Sequence, residues 1–129
     1  MMVKTGATRF LSCYNSFMRI LEKPIEKKAL LESEIVFDGP MIKAAVDVKK
    51  KIVGIDANMH ADIEQALLSS GSKQENIWGI NLYPEDSDED FIEYDSMVNI
   101  RPRQNNRSRD VEDPKIREQI MEVVNRWIK

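Results

Sequence analysis

Apolar positions change their period along the chain, and each change marks an element. Pro24 suits the first turn of a helix, and IEKKALLESEIV (25–36) reads as that helix, closed by the turn signal Asp38-Gly39-Pro40. In MIKAAVDV (41–48) Ile42, Ala44, Val46 and Val48 alternate on one face, which predicts a strand. KIVGID (51–56) predicts its return, with Lys49-Lys50 as a turn that lacks the Asn-Gly chemistry usual in tight hairpins. NMHADIEQALLSS (58–70) shifts to helical spacing. Ile63, Ala66 and Leu67 share a face, Asn58 or Asp62 can cap the start, and Gly71 supplies the terminating position.

IWGINLY (77–83) returns to alternation, with Trp78, Ile80 and Leu82 together. FIEYDSMVNIR (91–101) predicts a fourth strand, with Ile92, Tyr94, Val98 and Ile100 on one face and Ser96 as its polar exception. Residues 102–112 are polar and read as loop. Asp113-Pro114 then starts a helix whose Ile116, Ile120, Val123, Val124, Trp127 and Ile128 form one apolar stripe. The predicted order is helix, strand, strand, helix, strand, strand, helix. It implies an α+β domain over residues 18–129, with about four antiparallel strands and helices on one face. Residues 1–17 show no clear period and are expected to be a weakly ordered extension ahead of Met18, or a short packed arm.

Composition narrows the function classes. The chain has 129 residues, 42% apolar and 32% charged, enough for a single core without disulfides or a structural metal. A single cysteine, Cys13, excludes an internal disulfide and Cys-rich zinc sites, and it suits a reducing compartment such as the cytoplasm. Uninterrupted apolar runs are only a few residues long, too short to cross a bilayer, and residues 1–17 lack the apolar run of a secretory signal. The net charge of −3 does not favour nucleic acid as a partner.

The candidate chemistry lies late in the chain. Alternation sets Asn81 and Tyr83 opposite Trp78 and Leu82, and sets Glu93, Asp95, Met97, Asn99 and Arg101 opposite Tyr94, Val98 and Ile100. The loop RPRQNNRSRD then adds Arg103, Gln104, Asn105, Asn106, Arg107, Ser108 and Arg109. Arginine forks match phosphate or carboxylate, and the loop runs toward the free N–H groups of a helix start. Asn81, Asp95, Asn99, Arg101, Gln104, Asn106 and Arg107 are therefore candidate anion-binding residues, with Arg107 in mid-loop the strongest. The structural alternative is that these groups face solvent, pair with neighbours, or hold the loop by bonding its carbonyls. The acidic loop PEDSDED (84–90) reads as solvated, and the Lys49–Lys51 run as a hydrated hairpin tip.

His60 and Glu64 are four apart and share a helix face, so they could present two ligands to a divalent metal, with Asp95 or Asp56 completing the set. No cofactor motif is present: the five glycines are scattered, without a phosphate loop.

The segments MHADIEQALL, GSKQENIWGINLYP and EYDSMVNIRPRQNNRSRDVEDPKIR resemble a small uncharacterised prokaryotic family, from about Met18 to the C-terminus. The most specific stretch, Asp95 to Arg107, follows a DSxxNIRPxQxNRS-like pattern. This pattern has a small residue where Arg103 stands and glycine where Asn105 stands. The resemblance implies no activity or cofactor. It directs attention to His60, Asn81, Asp95, Asn99, Arg101, Gln104, Asn106 and Arg107. Three functions are expected in competition: a binding or regulatory module for an anionic small molecule or protein carboxylate, a metal-dependent hydrolase or nuclease-like enzyme, and a homo-oligomeric interaction protein.

Overall fold

The computed structural model describes residues 19–30, 41–55, 57 and 59–129. The expected N-terminal extension, Asp56, Asn58, the second half of the first predicted helix (31–36) and its closing turn Asp38-Gly39-Pro40 lie outside them; within the described half of that helix, Lys27–Leu30 (α1) is helical. The observed order places a two-residue strand, β1 (Arg19–Ile20), before α1. It continues with β2 (Ile42–Asp47), β3 (Ile52–Ile55), α2 (His60–Ser69), β4 (Ile77–Leu82), β5 (Ile92–Glu93) and α3 (Pro114–Trp127). The sheet is antiparallel throughout, in the order β1-β3-β2-β4-β5. The domain is α+β, as the alternation implies.

β2 is central because it is apolar on both faces. Ile42, Ala44 and Val46 pair with Leu82, Ile80 and Trp78 of β4, and face α3 in a core with Val53, Ile55, Ile120, Val123 and Val124. Ala45 points the other way, with Ile77, toward Ile63 and Leu67 of α2. The helices therefore cover both faces, and the expectation of one covered face is corrected. β3 and β4 both run antiparallel to β2, so the chain between them must leave the sheet and cross over. α2 makes that crossing on the face that the small Ala45 and Gly79 leave shallow.

The β2–β3 turn succeeds without Asn-Gly because Asp47 substitutes for it. Asp47 Oδ1 accepts from the N–H groups of Lys49 and Lys50, each at 2.9 Å, and Lys51 takes the left-handed conformation at φ +60°. α2 ends at Gly71, φ +106°, with Ser72 N–H bonded back to Leu67 O at 3.0 Å. Asp113 caps α3 by accepting from Lys115 N–H at 2.9 Å, with Pro114 at the first helical position.

The fourth strand is the main departure. It ends at Glu93, and period two does not continue through Ile100. Ser96 N–H bonds Arg109 O instead of β4, Ser96 Oγ caps a short 3-10 turn at Met97–Asn99, and the segment passes close over Gly79. A Cβ at Gly79 would lie 2.7 Å from Ser96 Cβ and Oγ, so this approach requires glycine.

Candidate functional site

The segment after β5 covers the bare edge of β4 with side chains. Gly79 N–H donates to Asn99 Oδ1 at 2.8 Å and Asn99 Nδ2 donates to Gly79 O at 2.9 Å, so one amide side chain stands in for a neighbouring strand. Arg101 continues along the same edge. Its Nε donates to Val98 O at 2.9 Å, Nη1 to Gln74 O at 2.7 Å, and Nη2 to Ile77 O and to Glu64 Oε2 at 3.2 Å. The guanidinium lies 4.8 Å from the Trp78 ring centroid, a cation–π distance. Arg101 is 9% exposed and the Glu64 side chain 14%. Burial lowers the Arg101 pKa and the Glu64 charge raises it again. Each guanidinium nitrogen is already engaged, so the arrangement of Arg101 is that of a strut.

The loop that follows is knit to itself. The buried Asn106 donates through Nδ2 to Asn99 O at 2.7 Å and Asp110 O at 2.6 Å, and its Oδ1 accepts from Glu112 N–H at 2.8 Å. Glu112 Oε2 gathers the N–H groups of Arg107 and Ser108 and the Ser108 hydroxyl, which holds its carboxyl pKa below the usual value. Asn105 carries the left-handed turn at φ +61°. Gln104 Nε2 donates to Glu75 O at 3.0 Å. Of the nominated residues, Arg107 alone is an exposed cation whose guanidinium makes no hydrogen bond or ion pair among the described residues.

The remaining nominated residues border a different place. A shallow cleft of about 210 Å³ opens at the start of α2, lined by Lys43, Met59, His60, Ala61, Ser96, Met97, Val98 and Arg109. Asp95 borders it through an ion pair with Arg109 in which both side chains are about half exposed. The buried Asn81 links Glu93 Oε1, at 2.9 Å, to the main chain of Asp95 at 3.2 Å. Met59 precedes the first turn of α2 without a side-chain cap, and Asp62 and Ile63 bond to its carbonyl. The N–H groups of His60 and Ala61 are therefore without partners among the described residues, and both residues line a cleft that two cationic side chains also line. His60 Nε2 carries the ring proton, because its partner at 2.7 Å is the Ile80 carbonyl. Burial lowers the His60 pKa; Lys43 and Arg109 add to this, against the Ile80 bond and Asp95. Met59 and Met97 flank the cleft at 58% and 69% exposure, unusually open for their size.

His60 and Glu64 do not converge as the metal reading expects: Glu64 is taken by Arg101 and His60 by the main chain of β4. Among the described residues no group of three His, Cys, Asp or Glu side chains could hold a metal ion. A larger hollow of about 470 Å³ lies between the acidic loop and α3, but it is lined by Lys27, Asp88, Phe91 and Tyr94 and holds no nominated residue. Sequence reasoning singled out neither Lys43 nor Met59, and it set Met97 on the face of Asp95 and Arg101 without making it a candidate. Only the register that sets Lys43 opposite Asn81 could have pointed to the first of them.

The class that these features define is a small α+β domain with a buried polar edge and a cleft at a helix start that Lys43 and Arg109 line and Asp95 borders. The chain belongs to the family described as Protein of unknown function (DUF5674), which matches residues 19–127. Neither the curated proteins nor the solved structures give a match. No helix among the described residues is long and apolar enough to cross a membrane.

Proposed function

We propose that this protein is a binding module for a small organic anion, which it holds at the start of α2 against the Arg-rich loop. The anionic head sits on the free N–H groups of His60 and Ala61 and on Arg109, with Lys43 adding charge. The apolar body lies on Met59 and Met97, whose flexible side chains adapt to it. Arg107, on the same loop, extends the positive surface. The observation that carries this reading is the uncapped first turn of α2 opening into a cleft lined by two cations. A reducing compartment, the cytoplasm, suits the lone Cys13.

The test is an amide NMR titration with inorganic phosphate. The His60 and Ala61 amides are expected to move together and to saturate. Arg109→Gln should weaken binding about tenfold, the equivalent of one charge-assisted contact of about 1.4 kcal/mol, with little effect on folding because its ion pair is exposed. Shifts confined to the Lys49–Lys51 turn, or no shifts at all, would remove the cleft from consideration.

A further inference from the structure

Most of the polar groups that the cleft offers are hydrogen-bond donors. The α2 amides, the Lys43 ammonium and the Arg109 guanidinium all present hydrogens. Three acceptors stand among them: the Ser96 hydroxyl, which already accepts from Val98 N–H, the Asp95 carboxylate at the border, which is paired with Arg109, and the uncharged His60 Nδ1. The Ile80 carbonyl fixes the tautomer by holding Nε2 as N–H, which leaves Nδ1 as a bare lone pair. The residue is 9% exposed and lines the cleft, and Nδ1 has no partner among the described residues. The two ring nitrogens diverge, so with Nε2 turned to the Ile80 carbonyl, Nδ1 points away from it, on a residue that lines the cleft.

We propose, resting on the anion reading above, that the cleft selects an oxyanion that keeps a hydrogen of its own, a hydrogenphosphate-type group. Its charged oxygens accept from the Ala61 N–H and Arg109, and its O–H donates to His60 Nδ1. An anion of similar size and charge but without that hydrogen sets a charged oxygen against the lone pair and leaves the nitrogen unsatisfied. A site built to bond a particular hydrogen rejects the analogue lacking it far more strongly than shape alone would.

The effect is also pH-dependent with a definite sign. The groups acting on the ring are Lys43 and Arg109, which oppose its protonation, and Asp95, which favours it. Near neutral pH the ring is neutral and Nδ1 accepts. Once acid protonates it, both nitrogens donate, and the demand for a proton on the anion disappears.

The experiment compares inorganic phosphate, which keeps a proton near pH 7, with sulfate, which does not, at equal ionic strength. Binding is followed by the Ala61 amide and the His60 Nδ1 nitrogen resonance. Phosphate is expected to bind at least tenfold more tightly than sulfate and to move the Nδ1 resonance. The preference should collapse as pH falls through the depressed His60 titration. His60→Leu should bind both anions alike. If this variant does not fold, the pH series on the native protein decides alone. Equal binding of both anions near pH 7 would overturn the proton-reading role while leaving the anion cleft standing. Absence of an Ala61 shift with either anion would remove the cleft itself. A preference that persists unchanged into acid would also overturn the role of His60.

Discussion

Replacing Arg101 with methionine keeps the aliphatic length and removes the fork. The structure sets the magnitude. Four donated bonds disappear, to the carbonyls of Val98, Gln74 and Ile77 and to Glu64, whose side chain is only 14% exposed. Glu64 is then left as a nearly buried charge without its partner. Breaking a buried pair from one side costs about 3–5 kcal/mol, much of it from the orphaned charge. A domain of this kind has about 5–15 kcal/mol in total, so Arg101→Met should survive only marginally. At roughly 3–5 °C per kcal/mol for this length, the melting temperature should fall by about 10–20 °C. Urea unfolding followed by tryptophan fluorescence gives the free energy directly. Adding Glu64→Gln should recover part of the loss, because a neutral amide tolerates burial better than an unpaired carboxylate, and the two changes should be strongly non-additive. A loss below about 1 kcal/mol would be that of an exposed ion pair and would refute the strut.

Other expectations follow from the same geometry. Arg107→Ala should leave stability within about 0.5 kcal/mol of the parent in the same urea assay, since its side chain is exposed and unbonded among the described residues; a loss comparable to that of Arg101→Met would show that it is buried. Gly79→Ala drives a Cβ to 2.7 Å from Ser96 and 2.8 Å from Val98 Cγ2, and should cost about 1–3 kcal/mol by thermal melting, whereas a neutral outcome would mean that the 96–98 segment does not cross over β4. His60 titrates lower in the folded protein than its ordinary 6.5, so the unfolded chain takes up its proton first as pH falls. Stability contributed by His60 is therefore present above pH 6.5 and is lost as pH drops toward its folded value; urea midpoints that stay flat over that range would contradict the burial of its neutral ring.

Much of the fold is legible in the sequence, for reasons that particular residues make plain. Trp78, Ile80 and Leu82 share the α3-facing core as period two requires, and Asp113-Pro114 starts α3 as its capping chemistry requires. The two-sided sheet was harder to see. Ala45 and Gly79 give a weak apolar signal beside their neighbours, yet small residues are what allow α2 to dock. β5 misled because Tyr94, Val98 and Ile100 keep a strand period by coincidence. The chain leaves the sheet through side-chain bonds from Asn99 and Arg101, which periodicity cannot register. The same blindness affected the site. An arginine or amide in a sequence reads alike whether it serves a ligand or a carbonyl, and here Asn99, Arg101 and Asn106 serve carbonyls. His60 and Asp95 were visible as candidates, but their shared border is created by the crossing of α2, which no local pattern encodes.

The most direct measurement is a crystal structure of the protein soaked with inorganic phosphate. The account predicts a tetrahedral anion within about 3 Å of the Ala61 amide, Arg109 and His60 Nδ1, with the Arg101 strut unmoved. A cleft without the anion while phosphate occupies other surfaces, or an anion seated on a displaced Arg101, would contradict it.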